Sequence, residues 1–373
     1  MRILLEGWRL AQTSDIGGVE SYWKQLVPAL LEEAGANERF TILSAFLSPR
    51  KSKFIQPFAK KGAHIRHWWS NPAWLQALGR GGVPAEWLAG QHDLVHACEP
   101  DWDIHGSAPL VVTCHDLMYH HFPQFISPEC AARLERGTQK AAARSAYWLC
   151  NSEHTRQDLI TTFGVAPART AVTPLGVGDG FFAAEEAEEE QEPYFLFVGS
   201  VEPKKNLPML IEAFAQAKQA GLEARLKIAG RASWQAGVLT ATIRRNPVME
   251  EHVDFLGFVD FDELPQLMAR SRGLVLPSRY EGFGMPVVEA MAAGCPVLCT
   301  RRGALADTAG DAAVFFDPDD VDGLAELLLS IDSDRGRRDN MRQRGQLHAK
   351  DFTWQRCARL TLDGYRRACE LRT

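Results

Sequence analysis

The sequence lacks several features that would place it in a special class of protein. No stretch of about 18 residues is apolar and free of charge, so a membrane-spanning helix is not expected. The eight cysteines are scattered, and the close pair Cys295 and Cys299 has no second pair to complete a zinc site. Neither a G-x-G-x-x-G loop after the first strand nor a G-x-x-x-x-G-K-[ST] loop occurs. These absences argue against a dinucleotide oxidoreductase and a P-loop nucleotidase, and we expect reduced thiols in a cytoplasmic protein.

Acidic residues are missing from one segment of an otherwise mildly acidic chain. The 41 basic and 47 acidic residues give a net charge of -6, which argues against a nucleic-acid partner. Between Arg39 and Ala85, however, no acidic residue occurs, and lysines and arginines alternate with Trp68, Trp69 and Trp74. Two interpretations remain open: a peripheral contact of residues 39–85 with an anionic inner membrane, or a solvated basic face with its tryptophans packed inward.

Length and periodicity indicate the architecture. The chain of 373 residues has an average composition and the length of two domains. Short apolar runs alternate with amphipathic stretches, which is typical of doubly wound α/β domains with parallel sheets. In the first half we predict strands at 2–6, 40–45, 94–97, 110–113, 147–151 and 170–173.

These strands and helices group into two predicted domains. The first covers residues 1–178, and a C-terminal helix of about 354–373 is expected to return to it. The second covers residues 194–353. Segment 179–193 between them is rich in glutamate, and like charges repel, so we predict a solvated acidic linker.

The segment LVLPSRYEGFGMPVVEAMAAGCPVL, residues 274–298, carries the strongest functional pattern. An apolar strand leads to Glu281, the flexible Gly282-Phe283-Gly284 and a helix that starts near Met285-Pro286. A helix N-terminus at the carboxyl end of a strand offers unpaired N–H groups that favour a phosphate. Glu281 could accept hydrogen bonds from sugar hydroxyls, and Glu289, one turn into the helix, from a ribose diol. The spacing therefore suits a sugar, a diphosphate and a nucleoside in order.

This E-x7-E pattern resembles the retaining glycosyltransferases of family 4. Further similar segments follow in the family's order: GGVESYWKQL, VVTCHDLMYHHFP, NSEHTRQDLITTFGV, FVGSVEPKKNLPMLIEAF and FLGFVDFDELPQLMARSRGLVLPS. The resemblance spans essentially the whole chain and implies the GT-B fold, in which two Rossmann-like domains face each other across a cleft. The segment EPKKNLP is most similar to that of bacterial mannosyl- and rhamnosyltransferases of surface polysaccharide synthesis.

The resemblance also implies roles for individual residues. Lys205 would stabilise the departing diphosphate, while Glu281 and His115 would contact the transferred sugar, and these three would be catalytic. Ser200 and Lys204 depart from the family pattern, because many relatives carry arginine at these positions. The implied donor-binding residues are Gly17, Gly18, Ser200, Lys204, Lys205, Gly257, Phe258, Val259, Glu281, Gly282, Phe283, Gly284, Met285, Pro286 and Glu289.

No metal or other cofactor is implied. Asp101-Trp102-Asp103 matches the D-x-D pattern of a different transferase architecture, and we interpret it as an ordinary loop. The His120-His121 pair is interpreted as solvated or packed rather than metal-binding.

The resemblance implies retaining, metal-independent transfer of a hexose to a glycan or lipid-linked oligosaccharide acceptor in O-antigen, capsule or exopolysaccharide synthesis. Mannose or a related deoxyhexose from a GDP-sugar is the favoured donor group. The alternatives are a UDP-sugar-dependent glucosyl- or N-acetylglucosaminyltransferase and a non-catalytic sugar-binding protein. A glycoside hydrolase that uses Glu281 and Glu289 as its two carboxylates is a further alternative.

Overall fold

Two parallel β-sheets, each with its own helices, form the centres of two units. The computed structural model describes residues 1–12, 17–101, 106–144, 146–184, 192–231 and 251–371. The chain divides into one unit of Met1–Gly176 with Trp354–Thr373 and a second unit of Val177–Thr353. Within the described ranges no helix is long and apolar enough to cross a membrane. Most of the acidic segment, residues 185–191, lies outside the described residues.

The first unit contains a seven-stranded sheet. Its strands are β1 (Arg2–Glu6), β2 (Arg39–Ala45), β3 (His64–Trp68), β4 (Leu94–Ala97), β5 (Leu110–Cys114), β6 (Tyr147–Cys150) and β7 (Thr170–Val172). All neighbouring strands are parallel, in the order β3-β2-β1-β4-β5-β6-β7. The chain winds outwards from β1 to one edge and then returns to the other side, which is the doubly wound arrangement. The helices of this unit are α1 (Gly18–Glu33), α2 (Ser52–Lys60), α3 (Pro72–Arg80), α4 (Ala85–Ala89), α5 (Met118–His121), α6 (Pro128–Ala143) and α7 (Glu153–Phe163).

The second unit repeats the plan with six strands. They are β8 (Tyr194–Val198), β9 (Arg225–Ala229), β10 (Val253–Gly257), β11 (Gly273–Leu276), β12 (Val297–Thr300) and β13 (Val314–Phe316), in the order β10-β9-β8-β11-β12-β13. The helices are α8 (Asp179–Phe182), α9 (Leu207–Gln219), α10 (Leu264–Ala269), α11 (Met285–Ala292), α12 (Leu305–Ala309), α13 (Val321–Ser333) and α14 (Arg335–Ala349). The prediction of two doubly wound, Rossmann-like α/β domains is confirmed.

The last helix, α15 (Trp354–Glu370), packs in the first unit against α1. Tyr365 of α15 hydrogen-bonds His96 Nδ1 of β4 at 2.6 Å, and His96 Nε2 hydrogen-bonds Thr113 of β5 at 2.9 Å. Thr113 in turn lies 3.1 Å from the Tyr22 hydroxyl of α1. Burial lowers the pKa of His96 to about 3, so the imidazole is neutral and links the helix to the sheet without a buried charge.

Strand β3 at the edge of the first sheet is not among the predicted strands. Its sequence HIRHW alternates between exposed and half-buried positions, and its basic and aromatic residues conceal the usual strand signal. Trp68, Trp69 and Trp74 are 39%, 62% and 68% exposed. The interpretation with these tryptophans packed inward is therefore wrong.

Candidate functional site

A buried ion pair lies at the carboxyl edge of the sheet in the second unit. Lys205 Nζ donates to Glu281 Oε1 at 2.6 Å, and each side chain is 9% exposed. Lys205 ends a short 3₁₀ helix after β8, and Glu281 follows β11, the neighbour of β8. Because parallel strands end at one edge of a sheet, two residues 76 positions apart in sequence come together.

Glu281 is held in its ionised form. Burial alone would raise its pKa, but the charges of Lys205 and Lys204 and the hydrogen bonds that it accepts lower the pKa below its ordinary value. Ser278 Oγ donates the second of these bonds, also to Oε1, at 2.6 Å. A carboxylate offers about four acceptor positions and an ammonium three donors. Glu281 can therefore accept a ligand's hydroxyl while Lys205 donates to a phosphate oxygen.

The segment after β12 fixes the position of Glu281. Gly303 has a φ of +62°, and a Cβ at this position would overlap the carbonyl oxygen of Glu281. The next residue, Ala304, donates its N–H to that same oxygen at 2.8 Å. Thr300 Oγ1 donates to the carbonyl of Ser278 at 2.6 Å. Gly303 and Thr300 position Glu281, and the sequence motif does not include them. The signal for Gly303 in the sequence is a glycine that follows the short apolar run PVLCT, residues 296–300.

Helix α11 starts immediately after the Glu281 loop. Gly284 precedes it with a φ of +95°, and Pro286 occupies the first turn, where a missing N–H costs nothing. Glu289 is 8% exposed inside α11, and burial raises its pKa to about 7. The loop glycine Gly282 and the helix residue Met285 are half-buried at this edge.

The Phe283 ring lies in the apolar interior of the second unit. It is 5% exposed and packs against Phe352 with ring centroids 5.9 Å apart. Of the predicted contact residues, Phe283 can therefore offer a ligand little more than its backbone.

Glycines lie at the carboxyl ends of β8, β9 and β10, which are neighbouring strands of this sheet. Gly199 follows β8, Gly230 follows β9, and Gly257 ends β10 with a φ of +67°. A Cβ on Gly230 would overlap the carbonyl oxygen of Gly199, so these strand ends need glycine to approach each other. The sequence prediction includes Gly257 but omits Gly199 and Gly230.

Predicted contact residues surround this glycine-lined edge. Ser200 is exposed, with its hydroxyl 2.9 Å from Glu202, and Lys204 Nζ lies 3.6 Å from the same carboxylate. Phe258 is exposed, with the Arg231 guanidinium 4.6 Å from its ring centre, and Val259 beside it is half-buried. An exposed aromatic face offers a surface on which a base can stack.

The remaining predicted site residues belong to the first unit. Gly17 precedes α1, and a Cβ on Gly18 would meet no atom within 4 Å, so packing does not account for this glycine. His115 follows β5, and its Nε2 lies 3.0 Å from the carbonyl of Cys98. Burial lowers the pKa of His115 to about 4. The imidazole is therefore neutral, Nε2 carries the proton that it donates to Cys98, and Nδ1 is an acceptor.

The side chains that were considered as metal ligands interact with other side chains of the protein. His120 Nδ1 lies 3.0 Å from Glu135, and His121 Nε2 lies 2.7 Å from Asp158. Asp101 is paired with arginines, while Trp102 and Asp103 lie outside the described residues. Among the residues that the structure describes, no group of three or more His, Cys, Asp or Glu could hold a metal ion.

Comparisons with known proteins identify both halves of the chain. The family model Glycosyltransferase Family 4 matches residues 16–179, and Glycosyl transferases group 1 matches residues 180–348. O-antigen chain mannosyltransferase B of Escherichia coli is 29% identical over 269 residues, which cover 69% of this chain and 70% of that protein. Sucrose-phosphate synthase from Thermosynechococcus elongatus aligns with a TM-score of 0.73 and 20% identity over 98% of each chain. Anabaena HepE in complex with UDP-glucose aligns with a TM-score of 0.72 and 19% identity over 97% of this chain and 99% of HepE.

Proposed function

We propose that this chain, which belongs to the family 4 glycosyltransferases with the GT-B fold, transfers a hexose from a nucleotide sugar with retention of configuration and without a metal ion. The acceptor would be a glycan or lipid-linked oligosaccharide of a cell-surface polysaccharide. The observation that carries this proposal is the buried pair of Lys205 and Glu281 beside a glycine-lined strand edge. It combines a cation for a phosphate and a carboxylate for hydroxyls with strand ends that carry no side chain.

In the proposed reaction, the bond between the sugar and the diphosphate breaks as the acceptor oxygen bonds to the same face of the sugar. The proton of the acceptor hydroxyl passes to an oxygen of the leaving phosphate. Negative charge builds on that phosphate, where Lys205 and the N-terminus of α11 would stabilise it. Glu281 would hold the hydroxyls of the sugar, and Glu289 those of the ribose. For His115 the proposed role is contact with the transferred sugar.

For the donor we propose a GDP-sugar that carries mannose or a related deoxyhexose. Similarity to O-antigen chain mannosyltransferase B supports this choice. The alternative is a UDP-sugar, the kind of ligand present in the HepE complex. The hydrolase alternative is disfavoured, because cleavage of a glycoside by two carboxylates does not require the Lys205 ammonium that is paired with Glu281.

The test combines calorimetry and product analysis. We expect GDP to bind with a lower Kd than UDP, and GDP-mannose to lose its sugar to an acceptor or slowly to water. Turnover should persist in EDTA, and nuclear magnetic resonance of the product should show the anomeric configuration of the donor. Absence of binding by both nucleotides would overturn the proposal. Inverted product or a loss of activity in EDTA would overturn the retaining, metal-independent part of it.

We also propose that the first unit binds an anionic membrane surface through its basic, tryptophan-bearing segment. Three observations support this. Trp69 and Trp74 are exposed, Trp87 on α4 is 81% exposed, and residues 39–85 contain eight basic residues and no acidic one. Trp68 Nε1 donates to the carbonyl of Leu88 at 3.0 Å, which places β3 beside α4. Tryptophan suits the headgroup region of a bilayer, and each nearby cation contributes about 1 kcal/mol at an anionic surface.

Vesicle sedimentation tests the membrane contact. The chain should bind vesicles of phosphatidylglycerol with phosphatidylcholine, should bind pure phosphatidylcholine weakly, and should dissociate as salt is raised. The double variant Trp69→Ala, Trp74→Ala should lose most of this binding. Leu347→Ala, which removes an equally exposed apolar side chain from the second unit, should keep it. Equal binding by both variants, or binding that salt does not weaken, would refute this contact.

A further inference from the structure

A second cluster of charges lies in the first unit, where β1 and β4 end. The guanidinium of Arg9, 13% exposed, contacts four carboxylates. The distances are 2.9 Å to Glu6, 3.2 Å to Glu20, 2.6 Å to Glu99 and 3.2 Å to Asp101. A guanidinium has five N–H donors in one plane and keeps its charge, so it can serve several carboxylates at once, which an ammonium cannot do equally well.

The four carboxyl groups come from three separate segments of the chain. Glu6 is the last residue of β1, Glu20 lies in the first turn of α1, and Glu99 and Asp101 follow β4. A single side chain, Arg9, thus joins two strand ends to a helix start. These are the segments at the ligand-binding edge of a doubly wound sheet.

Two predicted site residues are each close to this cluster. Glu20 Oε2 accepts the backbone N–H of Gly17 at 3.1 Å, so the carboxylate that Arg9 holds also holds the glycine turn. His115 Nε2 donates to the carbonyl of Cys98, the residue before Glu99. Removal of the Arg9 guanidinium would leave both Glu20 and Glu99 without this partner. Glu20, which binds the N–H of Gly17, and the segment of Cys98, which binds His115, would then be held less firmly.

We propose that Arg9 is a positioning residue for glycosyl transfer, which holds the glycine turn before α1 and the segment after β4 in the arrangement that the reaction needs. This inference rests on the proposed function. Arg9 itself makes no contact with the reacting groups in this scheme. It acts through Glu20 and Glu99. Its removal should lower kcat far more than it weakens nucleotide binding, because most of the implied donor-binding residues belong to the second unit.

The test compares Arg9→Gln and Arg9→Lys with the control Arg2→Gln. Arg2 is an exposed arginine of the same unit, paired with Asp93, so the control removes the same charge away from the cluster. For Arg9→Gln we expect kcat to fall at least 10-fold and the Kd of the nucleoside diphosphate to stay within about 2-fold of the original protein. Arg9→Lys should recover part of the loss, and Arg2→Gln should lose nothing.

Hydrogen exchange provides a readout that does not depend on substrate. In Arg9→Gln, the amides of residues 17–21 and 98–100 should exchange at least 10-fold faster than in Arg2→Gln. Burial and the positive charge of Arg9 both lower the pKa of His115. In Arg9→Gln this pKa should therefore rise, which nuclear magnetic resonance can follow. If exchange and kcat in Arg9→Gln match the Arg2→Gln control, the inference is wrong.

Should Arg9→Gln fail to fold, Glu20→Gln replaces it. This variant keeps an oxygen for the N–H of Gly17 but removes the charge that Arg9 binds, and we expect reduced kcat and faster exchange at residues 17–21. Unchanged kcat and exchange in a folded Glu20→Gln would overturn the role of Arg9. An original protein that binds no nucleotide would instead refute the proposed function, and the exchange experiment would still decide whether Arg9 holds these segments.

Discussion

Replacement of Lys205 by methionine should separate the stability of the site from its activity. The change keeps an unbranched side chain but removes the ammonium that lies 2.6 Å from Glu281. The carboxylate would then remain in a position only 9% exposed, without its charge partner. Loss of one partner from a buried ion pair typically costs about 3–5 kcal/mol. In a unit of this size that corresponds to a fall in melting temperature of roughly 10 °C.

The double variant Lys205→Met, Glu281→Gln should regain most of that stability. Both charges are gone, and a neutral amide beside a thioether leaves no unpaired ion, so we expect unfolding free energy within about 2 kcal/mol of the original protein. Activity should stay lost in both variants, because neither can stabilise the leaving phosphate as proposed. Stability and turnover would thus respond differently to the second replacement.

Thermal unfolding and donor turnover, measured on the same samples at pH 7, check this prediction. Arg225→Met is the matched control, since it breaks a pair with Asp254 in the same unit whose side chains are 29% and 34% exposed. Solvent screening makes such a pair worth less than about 1 kcal/mol. If Lys205→Met melts like the control, or if the double variant melts as low as the single one, the ion pair is not coupled as we argue. Turnover by the double variant would refute the proposed roles of both residues.

Two further replacements test the surroundings of this pair. The pKa of Glu289, about 7 in the folded chain against an ordinary 4.5, means that its contribution to stability is present at low pH and is lost as pH rises through 7. From pH 5 to pH 8, the free energy of unfolding measured with urea should fall by about 2–3 kcal/mol more in the original protein than in Glu289→Gln. Parallel plots of this free energy against pH would contradict the prediction. Gly303→Ala should displace Glu281 and weaken nucleotide binding in calorimetry, whereas Gly221→Ala, also at positive φ but in open space, should only lower stability. Equal nucleotide affinity in the two alanine variants would show that Gly303 does not set the position of Glu281.

Local patterns predicted the elements that carry the site, because buried strands and capped helices have their signals in consecutive residues. The strand before Glu281 and the glycine-bounded start of α11 lie close to their predicted positions. The direct contact of Lys205 with Glu281 was not predictable in this way, since it depends on β8 and β11 being neighbours. If Lys205 and Glu281 were separate ligand contacts, replacement of either would leave the melting temperature unchanged.

Residues that act through shape were harder to predict than residues that carry charge. The approach of Gly303 to the backbone of Glu281 leaves no pattern within one segment, because the two are joined only through the ends of β11 and β12. Phe283 lies inside the motif, yet its ring points into the apolar interior. Strand β3 was missed because an edge strand buries too little apolar surface to show alternation clearly.

The charges at the two sheet edges differ, and this difference bears on which unit takes the diphosphate. Around Arg9, four carboxyl groups surround the guanidinium, and Arg133 pairs with one of them, Asp101. Burial raises the pKa of Glu6 to about 8 and that of Glu99 to about 7, so the cluster is close to neutral at pH 7 and offers a phosphate no surplus positive charge. In the second unit, Lys204 and Lys205 balance Glu202 and Glu281, and the N-terminus of α11 adds positive character. Carboxylates suit the uncharged hydroxyls of sugars instead. A change at Arg9 should therefore appear in kcat and in the KM for the acceptor, while the affinity for the nucleotide stays with the lysines of the second unit.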